Sequence, residues 1–129
     1  MRHLLLITLL LLSSGPACAE WMSLGASESG TTVYADPTTK SRDGDLVKMW
    51  VLFDFKTAQT KAGISYLSAK AHMEYDCAKQ RFEGLAVMYI SGNMGSGNIL
   101  DRSSGKGTWL RIFPGSPDED LWKLACGKQ

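Results

Sequence analysis

Apolar and polar positions alternate along the middle of the chain with a period of two, which predicts β-strands. Every odd position from Val47 to Phe55 is apolar, and the same holds from Leu67 to Cys77. Because neighbouring side chains of a strand lie on opposite faces, each segment is predicted to bury its odd-numbered face. Cys77 therefore belongs to the buried side. A third strand is predicted at 81–90, after a turn at 76–80.

The even-numbered face of the first two strands differs between them. In the first strand it carries Trp50 and Leu52, which need an apolar cover from either a helix or another subunit. In the second strand it is polar and is expected to face solvent. Its residues are Tyr66, Ser68, Lys70, His72, Glu74 and Asp76.

Weaker strand patterns occur on both sides of this central region. Asp36 and Pro37 are expected to end one of these strands, and Asp43 and Gly44 form a predicted turn. The glycine-rich segment 92–97 is interpreted as a turn or bulge between strands, since a phosphate-binding loop would lead into a helix. The additional strands are predicted at 21–26, 32–35, 98–102 and 108–113.

The hydrophobic period changes near the carboxyl end, where a helix is predicted over 117–126. Ser116 is the predicted N-cap, Pro117 suits the first helical position, and Glu119 completes an S-x-x-E capping box. One arc of this helix is apolar and is expected to pack on the sheet. The arc contains Leu121, Trp122, Leu124, Ala125 and Cys126. The predicted fold class is α+β: an antiparallel sheet of about six strands with a C-terminal helix held by one disulfide.

The first 19 residues have the pattern of a secretory signal peptide. Arg2 precedes an apolar run that is shorter than the roughly 20 residues needed to cross a bilayer. Small residues then lead to a predicted cleavage site between Ala19 and Glu20. The alternative is lipidation of Cys18, which conflicts with Gly15 at the position where a lipobox usually has leucine.

Cleavage has consequences for the cysteines and for the charge. It removes Cys18 and leaves Cys77 and Cys126, which form the expected disulfide of an exported domain. The chain is divided into a signal peptide at 1–19 and one domain of 110 residues at 20–129. Losing Arg2 leaves 13 basic and 13 acidic residues, so the domain has no net charge. We therefore expect no nucleic-acid partner, and a membrane contact only if Cys18 is lipidated.

Residues suited to catalysis or metal binding are sparse in the domain. Its single histidine, His72, lies in a polar strand pattern, which favours an exposed structural residue. A zinc site needs three or four closely spaced ligands, which the histidine and cysteine positions do not supply. The acidic residues 118–120 suit the positive end of a helix dipole better than acid–base chemistry. No enzymatic activity, cofactor or metal site is predicted.

Residues spread over nearly the whole domain form a further ordered pattern. They are Trp21, Tyr34–Pro37, Trp50, Glu74–Cys77, Gly95, Gly97, Trp109, Pro114–Ser116, Leu121, Trp122 and Cys126. In this order the chain resembles the surface-adhesin protein E family of Gram-negative bacteria. The resemblance implies an antiparallel sheet with a C-terminal helix tied to it by two cysteines, often in a homodimer. It also implies an adhesin that binds host extracellular-matrix or serum proteins such as vitronectin and laminin.

The favoured function is an exported binding protein without catalytic activity, which engages a host or envelope protein. Its expected contact segments are exposed edges and loops such as 38–48 and 56–63. Two alternatives stay open: a periplasmic inhibitor of a secreted hydrolase such as lysozyme, and an envelope structural or assembly protein with Trp50 and Leu52 in a dimer face. The expected location is the periplasm or the medium, or the outer-membrane surface if Cys18 is lipidated.

Overall fold

The computed structural model describes residues 19–105 and 107–128, so most of the predicted leader, including Cys18, lies outside the described residues. The described chain forms seven strands followed by one α-helix. These elements are β1 (Met22–Ala26), β2 (Thr31–Asp43), β3 (Leu46–Lys61), β4 (Ile64–Asp76), β5 (Arg81–Ile90), β6 (Ile99–Ser104), β7 (Leu110–Arg111) and α1 (Pro117–Cys126).

All seven strands belong to one antiparallel sheet. Chain neighbours pair in the order β1-β2-β3-β4-β5-β6, and β7 pairs with the start of β5, beyond the segment paired with β6. Such a meander needs only hairpin connections, because each antiparallel strand begins close to where the previous strand ends. The predicted α+β class, with its antiparallel sheet and C-terminal helix, is confirmed.

The buried core lies between α1 and the odd-numbered face of the central strands, as the alternation predicts. Residues of β3 and β4 form its floor, and the apolar arc of α1 closes it. Core members include Val47, Met49, Val51, Ala71, Tyr75, Leu121, Trp122 and Ala125.

Local hydrogen bonds define both ends of α1. The Ser116 hydroxyl accepts a 3.2 Å hydrogen bond from the Glu119 N–H. The Glu119 carboxylate accepts from the Gly115 N–H at 3.0 Å, one residue before the position that a standard capping box uses. At the other end Gly127 has a left-handed backbone with φ of 72°, which glycine adopts without a side-chain clash.

The predicted disulfide joins Cys77, directly after β4, to Cys126, the last residue of α1. The two Cα atoms are 5.6 Å apart and the residues are 49 positions apart in the chain. The bond therefore closes a long loop and holds the helix on the sheet.

Strand boundaries differ from the prediction at several places: β7 covers only Leu110–Arg111 of the predicted 108–113, and β2 continues through Asp36 and Pro37 to Asp43. Its pairing with β3 is irregular between Asp36 and Ser41. Within this irregular segment the Thr39 hydroxyl accepts a 3.0 Å hydrogen bond from the Trp50 N–H. The Thr39 side-chain oxygen thus acts as the hydrogen-bond partner of the Trp50 N–H in β3. This contact allows β2 to continue past Pro37 without leaving the sheet.

The prediction that the helix or another subunit covers Leu52 is wrong. Leu52 is 0% exposed, and the turn at Asn93–Gly95 packs over this part of β3 and β4, with Gly95 against the Leu52 side chain. The Met94 N–H donates to the Asp54 carboxylate at 2.6 Å, which attaches the turn to β3. The glycine-rich segment is therefore a turn, as predicted, and it also covers the even-numbered face at Leu52.

The prediction of a solvent-facing polar side of β4 is also wrong for most of its length. Ser68, Glu74 and Asp76 are buried, and His72 is half-buried. The turn explains Ser68, whose hydroxyl donates to the Gly92 carbonyl at 2.6 Å. β4 is a central strand with neighbours on both sides, which buries these polar positions, and the Asp76 carboxylate also has partners inside the fold, whereas Oε1 of Glu74 is buried without a hydrogen-bond partner among the described residues.

Candidate protein-binding surface

The hairpin of β3 and β4 extends beyond the rest of the sheet. β2 pairs with β3 no further than Phe55, and β5 pairs with β4 no further than Ser68. Residues 56–67 therefore form a two-stranded ribbon without a paired strand on either side, here called the β3–β4 ribbon; at its base the Lys56 N–H donates to the Gly30 carbonyl at 3.0 Å. Ala62 and Gly63 at its tip have φ of 49° and 82°, the left-handed backbone of a tight hairpin turn.

Three aromatic rings meet where this ribbon joins the sheet. The centroid of Tyr66 is 5.7 Å from that of Phe55 and 4.9 Å from that of Tyr89, and both pairs are edge-to-face. All three side chains are half-buried, and none belongs to the core beneath α1. We call Phe55, Tyr66 and Tyr89 the aromatic corner. Edge-to-face contacts orient these rings while leaving part of their surface in water.

Lys61 connects the ribbon to the aromatic corner and to β6. Its ammonium lies 4.9 Å from the Tyr89 ring centroid and 3.5 Å from the Asp101 carboxylate. Both partners of the ion pair are well exposed, so the pair contributes little stability, at most about 1 kcal/mol. The ion pair does, however, place one positive and one negative charge beside the aromatic rings.

Two exposed apolar side chains extend this surface along the edge of the sheet. Ile99 and Leu100 at the start of β6 are 44% and 39% exposed. Ile99 pairs with Ile90, and Asp101 pairs with Tyr89, so this apolar stretch lies next to the aromatic corner. Rings and aliphatic side chains within a charged rim are typical of protein-binding surfaces.

The even-numbered face holds a further aromatic contact between two half-buried side chains. Trp50 and His72 stack with ring centroids 4.6 Å apart and planes 9° from parallel. Burial lowers the pKa of His72 and the Lys48 charge lowers it further, while Glu74 acts in the opposite direction. The prediction of a simply exposed histidine is therefore wrong, because the indole ring covers one face of the imidazole.

Within residues 19–105 and 107–128, no group of three or more His, Cys, Asp or Glu side chains is arranged to hold a metal.

The residues singled out in the sequence are distributed over separate parts of the fold. Cys77 and Cys126 are joined at the C-terminal end of α1, while Ala19 and Glu20 begin the described chain near Asp36. The segments 38–48 and 56–63 belong to the β2–β3 and β3–β4 hairpins. Each segment includes a strand edge without a pairing partner. In 38–48 this is the outer edge of β2, because β1 pairs with β2 only at 32–35. In 56–63 it is the edge of β3, because β2 pairs with β3 only up to residue 55.

The aromatic corner itself was missed in the sequence. The β3–β4 pairing is irregular between Asp54 and Gln59, so the period-two pattern breaks down just where the ribbon begins. The one sequence signal for the aromatic corner is that Phe55 and Tyr66 lie on either side of the Ala62–Gly63 turn.

These features define a small, disulfide-linked α+β domain that presents an aromatic surface at the edge of an antiparallel sheet. The chain belongs to the surface-adhesin protein E family, whose family model matches residues 21–127. No curated protein matches it significantly. In the part of the chain that the structure describes, no helix has the length and apolar character needed to cross a membrane.

Solved structures of protein E from Haemophilus influenzae share this fold. One aligns with a TM-score of 0.58 and 14% identity over 83% of this chain and 93% of that chain. Another, from a non-typeable strain, aligns with a TM-score of 0.54 and 12% identity over 87% and 78% of the two chains. At such low identity the similarity establishes the fold and not the ligand.

Proposed function

We propose that this protein is an exported, non-catalytic adhesin that binds a host extracellular-matrix or serum protein through its aromatic corner. The observation that carries the proposal is the group of three half-buried rings outside the core, bordered by Lys61 and Asp101. Tyrosine is enriched among residues that dominate binding energy, because a rigid ring buries much area at a small entropic cost. Membership of a surface-adhesin family supports the same function.

Export is proposed to follow from the leader at 1–19, with cleavage between Ala19 and Glu20. The domain at 20–129 would then occupy the periplasm or the medium, and lipidation of Cys18 would instead hold it on the outer membrane. The disulfide supports an oxidising compartment, where such a bond persists.

The test is a binding measurement with the exported, disulfide-bonded domain against immobilised vitronectin, laminin and other matrix and serum proteins. Tyr66→Ala is expected to weaken binding at least about tenfold, and Tyr89→Ala similarly, as for residues at the centre of an interface. Tyr34→Ala is the matched control, since Tyr34 is a half-buried tyrosine of β2 whose paired residues, Ser23 and Leu52, do not belong to the corner. Thermal unfolding monitors the fold of each variant.

Two results would contradict the proposal. One is an equal loss of binding affinity in Tyr34→Ala and Tyr66→Ala. The other is unchanged binding in both Tyr66→Ala and Tyr89→Ala. The same preparation added to lysozyme tests the inhibitor alternative: inhibition at equimolar concentration, together with no matrix or serum ligand, would replace the adhesin function. Size-exclusion chromatography of the wild type and Tyr66→Ala shows whether a homodimer uses the same surface.

A further inference from the structure

Asp36 is a buried carboxylate next to the start of the described chain. It is 3% exposed, and one of its oxygens accepts hydrogen bonds from the N–H and the hydroxyl of Thr38, at 3.1 and 2.5 Å. The other oxygen accepts a 3.1 Å hydrogen bond from the Glu20 N–H. Each of these donors is neutral in the uncleaved chain. Among the described residues, no lysine or arginine side chain forms an ion pair with Asp36.

A buried carboxylate is costly without a compensating charge, and neutral hydrogen bonds offset only part of that cost. The nitrogen atom that faces Asp36 is also the atom that leader cleavage would change. A signal peptidase adds water across the Ala19–Glu20 peptide bond, which leaves a carboxylate on Ala19 and an amine on Glu20. At neutral pH that amine takes up a proton and becomes a cation.

We propose that Asp36 is the binding site for the α-ammonium group of the mature chain, which begins at Glu20. Cleavage converts an amide hydrogen bond into an ion pair at the same position, and this ion pair holds the start of the mature chain against β2. This role is separate from the aromatic corner, which is built from other strands.

The surroundings of Asp36 favour such a pair. Asp36 lines a small cavity of about 190 Å³ with the apolar side chains of Trp21, Trp50 and Met88. The pocket is open to solvent, but these apolar side chains lower the dielectric constant around the buried Asp36 carboxylate, which strengthens a charge pair. Lys70 lines the same cavity without forming an ion pair with Asp36, so the carboxylate is left for the chain terminus.

The proposal distinguishes two processing routes. If the mature chain began with a lipidated Cys18, the Glu20 nitrogen would stay an amide and the Asp36 carboxylate would gain no cation. If it begins at Glu20, the new charge forms 3.1 Å from a carboxylate oxygen. Asp36 therefore suits cleavage after Ala19.

The experiment uses full-length protein exported by a Gram-negative host. Mass spectrometry of the purified product is expected to show Glu20 as the first residue. NMR titration of the Glu20 α-amine is then expected to give a pKa about one unit or more above the ordinary range of about 7.7–8.0, with a return to that range in Asp36→Asn. Asparagine keeps a side-chain oxygen for Thr38, so it is the mildest substitution that removes the charge.

A second comparison does not require that Asp36→Asn folds. A wild-type domain that starts at Ala19 has an amide at Glu20, and its α-amine is expected to titrate in the ordinary range. An N-terminus at Cys18 or at any residue other than Glu20 would overturn the proposal. Equal α-amine pKa values in the Glu20 and Ala19 forms would overturn it as well.

Discussion

Trp122 donates its indole N–H to the carbonyl of Asp76 at 2.8 Å, in a buried contact between α1 and the end of β4. Asp76 directly precedes Cys77, and Trp122 lies one helical turn before Cys126. The helix is therefore attached to the sheet twice at the same place, once by a covalent bond and once by a hydrogen bond. Cys77 itself donates its N–H to the Asp45 carbonyl at 2.8 Å, so the attachment extends to the β2–β3 turn.

Removing the disulfide is expected to be the most damaging change at this attachment. With 49 positions between the cysteines, the chain-entropy model gives about 4 kcal/mol for the double variant Cys77→Ala/Cys126→Ala. Urea unfolding followed by circular dichroism measures this loss. Trp122→Phe, with the disulfide intact, is expected to lose about 1–3 kcal/mol because it leaves a buried carbonyl without its donor. A double variant as stable as the wild type would show that the disulfide is not what holds the helix.

The Tyr75 ring and its hydroxyl group are predicted to have separable effects on stability. Tyr75 is 0% exposed, and its hydroxyl has no hydrogen-bond partner among the described residues. Burial raises the pKa of this hydroxyl, and the Asp118 charge raises it further, so the group stays neutral. Because a buried hydroxyl without a partner pays its desolvation cost uncompensated, Tyr75→Phe is expected to be neutral or to stabilise by up to about 1 kcal/mol.

The matched comparison is Tyr75→Ala, which removes the ring and is expected to cost about 3–5 kcal/mol. Both free energies come from urea unfolding. A loss above about 1 kcal/mol in Tyr75→Phe would show that the hydroxyl has a stabilising partner, contrary to the contacts described.

The parts of this fold that the sequence predicted well depend on local patterns. α1 lies at its predicted position because a proline, a capping serine and an apolar arc are all encoded within eleven residues, 116–126. Cys77 has the predicted inward side because alternation determines the face of a strand residue once the strand is known.

The parts that it missed depend on contacts between distant segments. The continuation of β2 past Pro37 relies on Trp50 donating to Thr39, eleven positions earlier in the chain. The cover over Leu52 comes from a turn about 40 positions later. The aromatic corner needs Phe55, Tyr66 and Tyr89 from three strands, and no periodicity in a single segment encodes such a meeting.

Asp76 is predicted to stabilise the domain only above the pH at which it is protonated. Burial opposes its ionisation, but hydrogen bonds from Arg81, Ala78 and Lys79 and the Arg81 charge together lower its pKa below the usual 3.8. The Arg81 Nε lies 2.9 Å from its carboxylate. A lowered pKa means that the folded state favours the carboxylate, so this stability is present above pH 3.8 and is lost as the pH falls through the lower, folded value.

Asp76→Asn is therefore expected to lose about 1–3 kcal/mol at pH 7, with a difference from the wild type that shrinks as the pH falls below 3.8. Urea unfolding at a series of pH values measures it. Asp43→Asn, at the exposed last residue of β2, is the control and should change the free energy of unfolding by no more than about 0.5 kcal/mol. A difference for Asp76→Asn that does not vary with pH would contradict the ionic contribution.

His72 is predicted to make the domain less stable as the pH falls below 6.5. Its pKa is lowered by burial and by Lys48, so the unfolded chain binds a proton more readily than the folded domain. The contribution of neutral His72 to the free energy of unfolding is therefore fully present above pH 6.5. It decreases as the pH falls toward the pKa of His72 in the folded state. As the domain's single histidine, His72 gives one assignable imidazole signal in an NMR titration. Lys48→Gln is expected to raise the measured pKa and Glu74→Gln to lower it; a midpoint at 6.5 in all three proteins would refute the prediction.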